Sequence, residues 1–113
     1  MERVNRGLTL LKADDRLRAS ARWHSADMSK RGFFAHVGPR GSTTPAERML
    51  AAGVERPGGE NIAMGQDSPA SVVDAWMRSI GHRKNILYVD FRTIGVGIHP
   101  SPEGLWWTQN FGF

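Results

Sequence analysis

The chain has 113 residues, with 15 Lys and Arg against 11 Asp and Glu, 13 Gly, 6 Pro and no Cys. This length fits one domain with a single core and one small cleft, and it excludes a large multi-substrate catalytic apparatus. Because Cys is absent, a disulfide framework, a Cys-type zinc finger and a thiol nucleophile are also excluded, and cysteine usage does not indicate the redox compartment.

The net charge of +4 comes mostly from Arg residues that are scattered along the chain. Since no recognition motif accompanies them, we expect no specific nucleic-acid partner. No apolar run approaches the ~20 residues that span a bilayer, so we expect no transmembrane segment. The first residues lack the apolar stretch of a signal peptide, which indicates a cytosolic protein or a domain cut from a longer exported chain. The oligomeric state stays open.

The first predicted element is a helix from Asp14 to Arg31, preceded by a loop or short extra helix over residues 4–12. Its apolar stripe recurs at steps of four, three and four, at Leu17, Ala21, His24 and Met28. Asp14 is expected to cap the helix and Gly32 to end it. Asp14 with Arg18, and Asp27 with Arg31, are expected as ion pairs four residues apart. His24 is expected to be a hydrogen-bonded core histidine.

Glycine and proline separate the elements that follow. They place His36 on a loop, whereas Thr44-Pro45-Ala46-Glu47 is a capping box that predicts a short helix ending at Gly53. Residues 57–59 predict a turn, and residues 60–65 predict a short buried strand.

A third helix is predicted from Ser68-Pro69 to Gly81, with His82 just beyond its end. Its core-facing stripe would contain Val72, Val73, Trp76, Met77 and Ile80.

Two strands are predicted at residues 94–99 and 105–111, with residues 100–104 as the hairpin loop. Gly95 and Gly97 would let a helix approach one face of the sheet closely. One of Trp106 and Trp107 is expected in the core and the other at the surface.

The chain has no His-Glu-x-x-His motif, phosphate loop or nucleophile elbow. What remains is a set of His and acidic residues next to turns or a helix start: His36, Glu47, Glu60 and His82. Two imidazoles and two carboxylates could form a metal site, but the separations of 11, 13 and 22 residues do not bring them together locally.

Each of these residues also has a purely structural interpretation. Glu47 could serve only its capping box, and His82 could interact with the carbonyl groups at a helix end. His36 and Glu60 could be loop residues without a role.

Motifs along nearly the whole chain resemble the CAP superfamily of cysteine-rich secretory, antigen 5 and pathogenesis-related 1 proteins, in its bacterial cysteine-free branch. The segments that carry the resemblance include Gly32-Phe33-Phe34-Ala35-His36, Gly59-Glu60-Asn61-Ile62-Ala63, Gly81-His82-Arg83-Lys84-Asn85-Ile86-Leu87 and Trp107-Thr108-Gln109-Asn110-Phe111-Gly112. The resemblance implies a single CAP (SCP) domain over residues 1–113 with an α+β fold, a three-layer α-β-α sandwich with a small antiparallel-rich sheet. It also implies an extracellular or cell-envelope location.

The hallmark of that family is a cleft tetrad of two His and two Glu, which falls by motif on His36, Glu47, Glu60 and His82. The resemblance implies that His36 and His82 contact Zn²⁺ or another divalent cation, while the two Glu lie nearby. The first hypothesis is therefore a binding module for a divalent cation and a small-molecule, lipid or peptide ligand. The alternative is a zinc-dependent, peptidase-like hydrolase in which Glu47 or Glu60 is the general base.

Overall fold

A four-stranded mixed sheet lies between two layers of helices in the computed structural model, which describes residues 2–113 and leaves Met1 outside. The helices are α1 (Asp15–Arg31), α2 (Pro45–Ala51), α3 (Pro69–Met77) and α4 (Ile80–Ile86), and the strands are β1 (Lys12–Ala13), β2 (Pro57–Met64), β3 (Thr93–Ser101) and β4 (Gly104–Gly112). The strand order is β1-β3-β4-β2, with β1 parallel to β3 and the other pairs antiparallel. The predicted α-β-α sandwich is confirmed.

Helix α1 packs on one face of the sheet at very short range. A Cβ atom on Gly95 would overlap the backbone of Leu17 and Arg18, and one on Gly97 would overlap the backbone of Arg22. The expected close approach of a helix at these two glycines is therefore confirmed. The two missing side chains let the helix backbone rest directly on the strand.

The limits of α1 are also confirmed. The Asp14 carboxylate accepts hydrogen bonds from the Arg16 and Leu17 backbone N–H groups, and Gly32 ends the helix with a φ of 68°. The Asp27–Arg31 ion pair forms at 2.6 Å. The Asp14–Arg18 pair does not form: because Asp14 is turned towards the first helical turn, Arg18 pairs with Asp15 instead, at 3.1 Å.

Helices α3 and α4 cover the opposite face of the sheet. Their buried side chains join those of the strands in a hydrophobic cluster: Ala63, Val72, Trp76, Ile86, Phe91, Trp107 and Phe111. Trp107 belongs to this side, whereas Trp106 packs with Met28 and Ile62 on the α1 side. Both tryptophans are buried, so the prediction that one of them is exposed is wrong. Adjacent strand residues point to opposite faces, and here both faces are covered.

The predicted turn at residues 57–59 is wrong, because β2 begins at Pro57 and has a register shift before Glu60. Gly58 and Gly59 serve close packing rather than chain reversal: a Cβ on Gly58 would come within 2.6 Å of the Phe111 carbonyl oxygen. The hairpin loop is also shorter than expected, since β3 continues to Ser101 and β4 begins at Gly104.

The predicted third helix is two helices. Ser79 has extended backbone angles of φ −106° and ψ 125°, which end α3 and begin α4 in a new direction. Gly81 and His82 therefore lie inside α4, and Ile80 is 76% exposed instead of facing the core. Within residues 2–113 no helix combines the length and apolar character needed to cross a bilayer.

Candidate functional site

Glu60 lies at the centre of a buried polar cluster on the α1 side of the sheet. It sits on β2, is 7% exposed, and faces α2, which carries Arg48. The Nη2 group of Arg48 donates to both carboxylate oxygens at 3.0 and 2.9 Å, and the side-chain amide of Asn110 donates to Oε2 at 2.9 Å. The negative charge is thus balanced by one buried cation and by an amide from β4.

His36 completes the set of partners around Glu60. Its Nδ1 lies 3.0 Å from Glu60 Oε1, and its side chain is 47% exposed. With the Nδ1–H donating to the carboxylate, Nε2 of a neutral ring would offer its lone pair to a ligand. Burial alone would raise the pKa of Glu60, but the His36 hydrogen bond and the Arg48 charge outweigh it, and the pKa is lowered.

His24 supports the loop that carries His36. It is fully buried, and its Nε2–H donates to the carbonyl oxygen of Ala35 at 2.8 Å. The same nitrogen lies 3.9 Å from Glu60 Oε1. Burial, as the main cause, lowers the pKa of His24, so that the ring is neutral at pH 7. The prediction of a hydrogen-bonded core histidine is confirmed.

His82 lies on α4, in the helical layer on the opposite face of the sheet from α1. Burial, as the main cause, lowers the pKa of His82. The backbone of His82 is held by Asn61, whose side-chain amide donates to the His82 carbonyl oxygen at 3.1 Å. Its Nδ1 atom is buried and has no hydrogen-bond partner within residues 2–113. Because His82 lies inside α4, its interpretation as a residue beyond a helix end is wrong.

Glu47 makes the predicted capping box. Its carboxylate accepts from the Thr44 backbone N–H at 3.0 Å, and its own N–H donates to the Thr44 hydroxyl at 3.2 Å. The side chain lines a groove between α1 and α2, beside Trp23. No hydrogen bond or ion pair joins Glu47 to either imidazole in the described part of the chain. The structure therefore places His36 against Glu60, holds the His82 backbone beside Asn61, which follows Glu60 on β2, and engages Glu47 in its capping box.

A mainly apolar cavity lies next to His82. A cavity of about 510 Å³ is lined there mainly by apolar and aromatic side chains: Phe34, Ile62, Ala63, Met64, Ala75, Trp76 and Trp106. Gln66 contributes a buried side-chain oxygen that lacks a partner within residues 2–113. A ligand at the histidines could place an apolar group in this cavity.

Sequence reasoning did not identify Arg48, Asn110 or Asn61 as members of this cluster. Arg48 is 5% exposed on a short helix, and nothing in its local sequence distinguishes it from a solvent-exposed arginine. A signal did exist in β4, where three polar residues, Thr108, Gln109 and Asn110, interrupt an aromatic strand. Polar side chains in a strand covered on both faces require buried partners.

Comparisons with known proteins agree with this fold. Residues 2–111 match the family described as CAP, the cysteine-rich secretory protein family. The chain is 46% identical over 111 residues to YkwD of Bacillus subtilis (strain 168), covering 97% of this chain and 42% of that protein. It therefore spans less than half of the length of that relative.

Two solved structures are also similar. One is an extracellular protein containing a SCP domain from Bacillus anthracis str. Ames, with 33% identity, a TM-score of 0.90 and coverage of 98% of this chain and 36% of that one. The other is an outer surface protein of Borrelia burgdorferi, with 24% identity, a TM-score of 0.86 and coverage of 98% and 83%. At that identity the Borrelia protein supports the fold alone.

Proposed function

Because the chain belongs to the CAP family of cysteine-rich secretory proteins, we propose that it is an extracellular binding domain whose cleft takes a divalent cation, zinc first, at His36 and His82. The extracellular location is supported by the similar Bacillus anthracis protein, which is described as extracellular. The observation that carries the cation proposal is the 3.0 Å contact between His36 Nδ1 and Glu60. A carboxylate behind one ring nitrogen is the usual support of a metal-ligating histidine, because it orients the ring and makes the other nitrogen a better donor.

The available donors fit an open site. Imidazole nitrogens suit zinc, and the buried Nδ1 of His82 lacks a partner within residues 2–113. No group of three or more His, Asp or Glu in this same span is arranged to hold a metal ion. His36 and His82 would therefore hold the cation with two protein ligands, and the bound cation would supply a Lewis-acidic point at which a small or peptide-like ligand is fixed.

The geometry favours this binding role over the hydrolase alternative. Glu60 already accepts hydrogen bonds from Arg48, His36 and Asn110. Its lowered pKa makes it a weak base. Glu47 is engaged by the Thr44 backbone. The role of Glu60 in the proposal is to position His36.

Zinc titration of the metal-stripped protein by calorimetry tests the proposal. We expect one saturable site that is lost in both His36→Ala and His82→Ala, with His99→Ala as the matched control because His99 lies on β3 outside the cluster described above. Glu60→Gln should weaken zinc binding about 10–100-fold through the loss of support for His36. Glu47→Gln should leave zinc binding unchanged, since Gln also serves a capping box.

Circular dichroism of each variant separates loss of binding from loss of fold. The proposal would be wrong if the folded wild type bound no zinc, or if either alanine variant retained full affinity. Zinc-dependent turnover of a peptide that Glu60→Gln abolishes would favour the hydrolase instead.

A further inference from the structure

Apolar and basic side chains share an exposed surface around the connection from α4 to β3. A shallow depression of about 590 Å³ is lined by Ile80, Arg83, Lys84, Leu87, Tyr88 and Val89, and we call it the α4 surface. Ile80 is 76% exposed and Val89 is 59% exposed. Exposed apolar side chains that lie together in one depression mark a surface that interacts with a partner.

The α4 surface continues to the C-terminal residue. The ring of Tyr88 lies 6.3 Å from that of Phe113 in an edge-on arrangement, and the guanidinium of Arg56 lies 5.8 Å above the Phe113 ring. Arg92 donates to the Val89 carbonyl oxygen at 2.8 Å. The adjoining depression is lined by Arg56, Asp90, Arg92 and Phe113. Across both depressions the charged residues are four cations and one acid.

Hydrogen bonds from Arg3 hold the backbone of the α4 surface. The buried guanidinium of Arg3 donates to the carbonyl oxygens of Ile86 at 3.0 Å and Tyr88 at 2.8 Å. These bonds fix the segment that presents Leu87, Tyr88 and Val89. The apolar side chains therefore need little further ordering in order to bind a partner.

We propose that the α4 surface docks on the surface of an anionic phospholipid bilayer. Exposed apolar side chains flanked by Lys and Arg are the features that bind at the boundary between headgroups and acyl chains. Ile80 and Val89 would enter that boundary while Arg83 and Lys84 contact lipid phosphates. The excess of cations over acids selects this partner over an apolar protein face, which would leave the cations desolvated and unpaired. The proposal does not depend on metal binding in the cleft.

Co-sedimentation with vesicles tests the proposal. The wild type should bind vesicles of phosphatidylcholine with 30% phosphatidylglycerol, and bind pure phosphatidylcholine vesicles much more weakly. Arg83→Gln with Lys84→Gln should weaken binding by about fivefold for each charge removed. Ile80→Ser with Val89→Ser should weaken it by about tenfold through lost apolar insertion.

Matched controls lie on the opposite helical layer. Arg22→Gln with Lys30→Gln removes two exposed cations from α1, and Leu50→Ser removes a side chain that is 56% exposed on α2. Each control should change vesicle binding by less than about twofold, because these residues face away from the docked bilayer.

Three results would overturn the proposal. One is the absence of vesicle binding by the folded wild type at low ionic strength. Another is an equal loss in the α1 control, which would mean attraction by net charge alone. The third is a dimer in sedimentation velocity that Ile80→Ser with Val89→Ser dissociates, which would assign the α4 surface to a second copy of the chain.

Discussion

Glu60 holds a buried negative charge whose partners come from separate parts of the chain. Arg48 comes from α2, His36 from the loop after α1, and Asn110 from β4. A buried carboxylate is stable only while such partners remain, since water cannot replace them. The same contacts that hold the charge also orient His36, so stability and the proposed site depend on one side chain.

Arg48→Met should therefore destabilise the protein by about 3–5 kcal/mol, because Glu60 would keep a buried charge without its cation. Urea unfolding measures the loss. Arg48→Met combined with Glu60→Gln should recover part of it, since no unpaired charge remains. Arg78→Gln, which breaks an exposed pair with Asp74 at 2.8 Å, is the control and should cause no measurable change. If Arg48→Met changed the free energy of unfolding as little as Arg78→Gln does, the buried ion pair between Arg48 and Glu60 would be contradicted.

His24 makes stability depend on pH between about 7.5 and 5.5. Burial lowers the pKa of His24 below its ordinary value of 6.5, so the unfolded chain takes up a proton that the folded chain refuses. The free energy of unfolding should fall as the pH falls through this range, by up to about 1.4 kcal/mol per pH unit for one such group. The lowered pKa of His82 acts in the same direction.

Urea unfolding at several pH values measures this dependence, and an NMR titration of the His24 ring measures its cause. A ring midpoint at or above 6.5 would contradict the expected pKa shift of His24. Glu60 does not interfere in this window, because its unfolded pKa is near 4.5 and its folded pKa is lower still.

Among the elements, the pairing of α1 with β3 is the most demanding sterically. Gly97→Ala would drive a Cβ into the α1 backbone at Ala21 and Arg22. We expect the free energy of unfolding to fall by about 3 kcal/mol or more, because the helix backbone cannot move aside as a flexible side chain can. Gly81→Ala is the matched control: no atom lies within 4 Å of its Cβ position, and it sits inside α4. Gly81→Ala should raise the free energy of unfolding by about 0.5–1 kcal/mol, because alanine has a higher helix propensity than glycine.

Thermal or urea unfolding should show that Gly97→Ala lowers the free energy of unfolding and Gly81→Ala raises it, if the α1 backbone lies directly on β3. Equal and small effects would mean that α1 lies farther from β3. The comparison is informative because both substitutions add the same methyl group, and only the surroundings of that group differ.

At the scale of the whole molecule, the two ends of the chain are joined. Strand β1 pairs in parallel with β3, and Arg3 reaches the segment from Ile86 to Phe91. Arg3→Met should lower the free energy of unfolding by about 2–3 kcal/mol, because it leaves buried carbonyl groups without hydrogen-bond donors. Arg6→Met, which removes only exposed contacts with the carboxylate and backbone carbonyl of Glu2, should have little effect on urea unfolding. Equal effects of the two changes would show that the N-terminal segment does not support α4.

The elements that could be predicted from the amino-acid sequence are those whose signals are local. The recurrence of core-facing positions at steps of four, three and four, the Asp14 cap and Gly32 predicted α1, and Thr44 with Glu47 predicted the start of α2. These predictions succeeded because caps and stripes act within one or two helical turns. The family motifs likewise predicted the α-β-α layers and proposed one tetrad of His36, Glu47, Glu60 and His82.

Features that depend on partners distant in the sequence could not be predicted in this way. The break at Ser79, the extended course of β2 through Gly58, and the burial of Trp106 each follow from packing against other elements. The pairing of Arg48 with Glu60 is of the same kind. Glu47 and Arg48 are adjacent charged residues on α2, and the local sequence does not indicate which of them is buried. The direction of each side chain relative to the sheet determines that Arg48 is the one that pairs with Glu60.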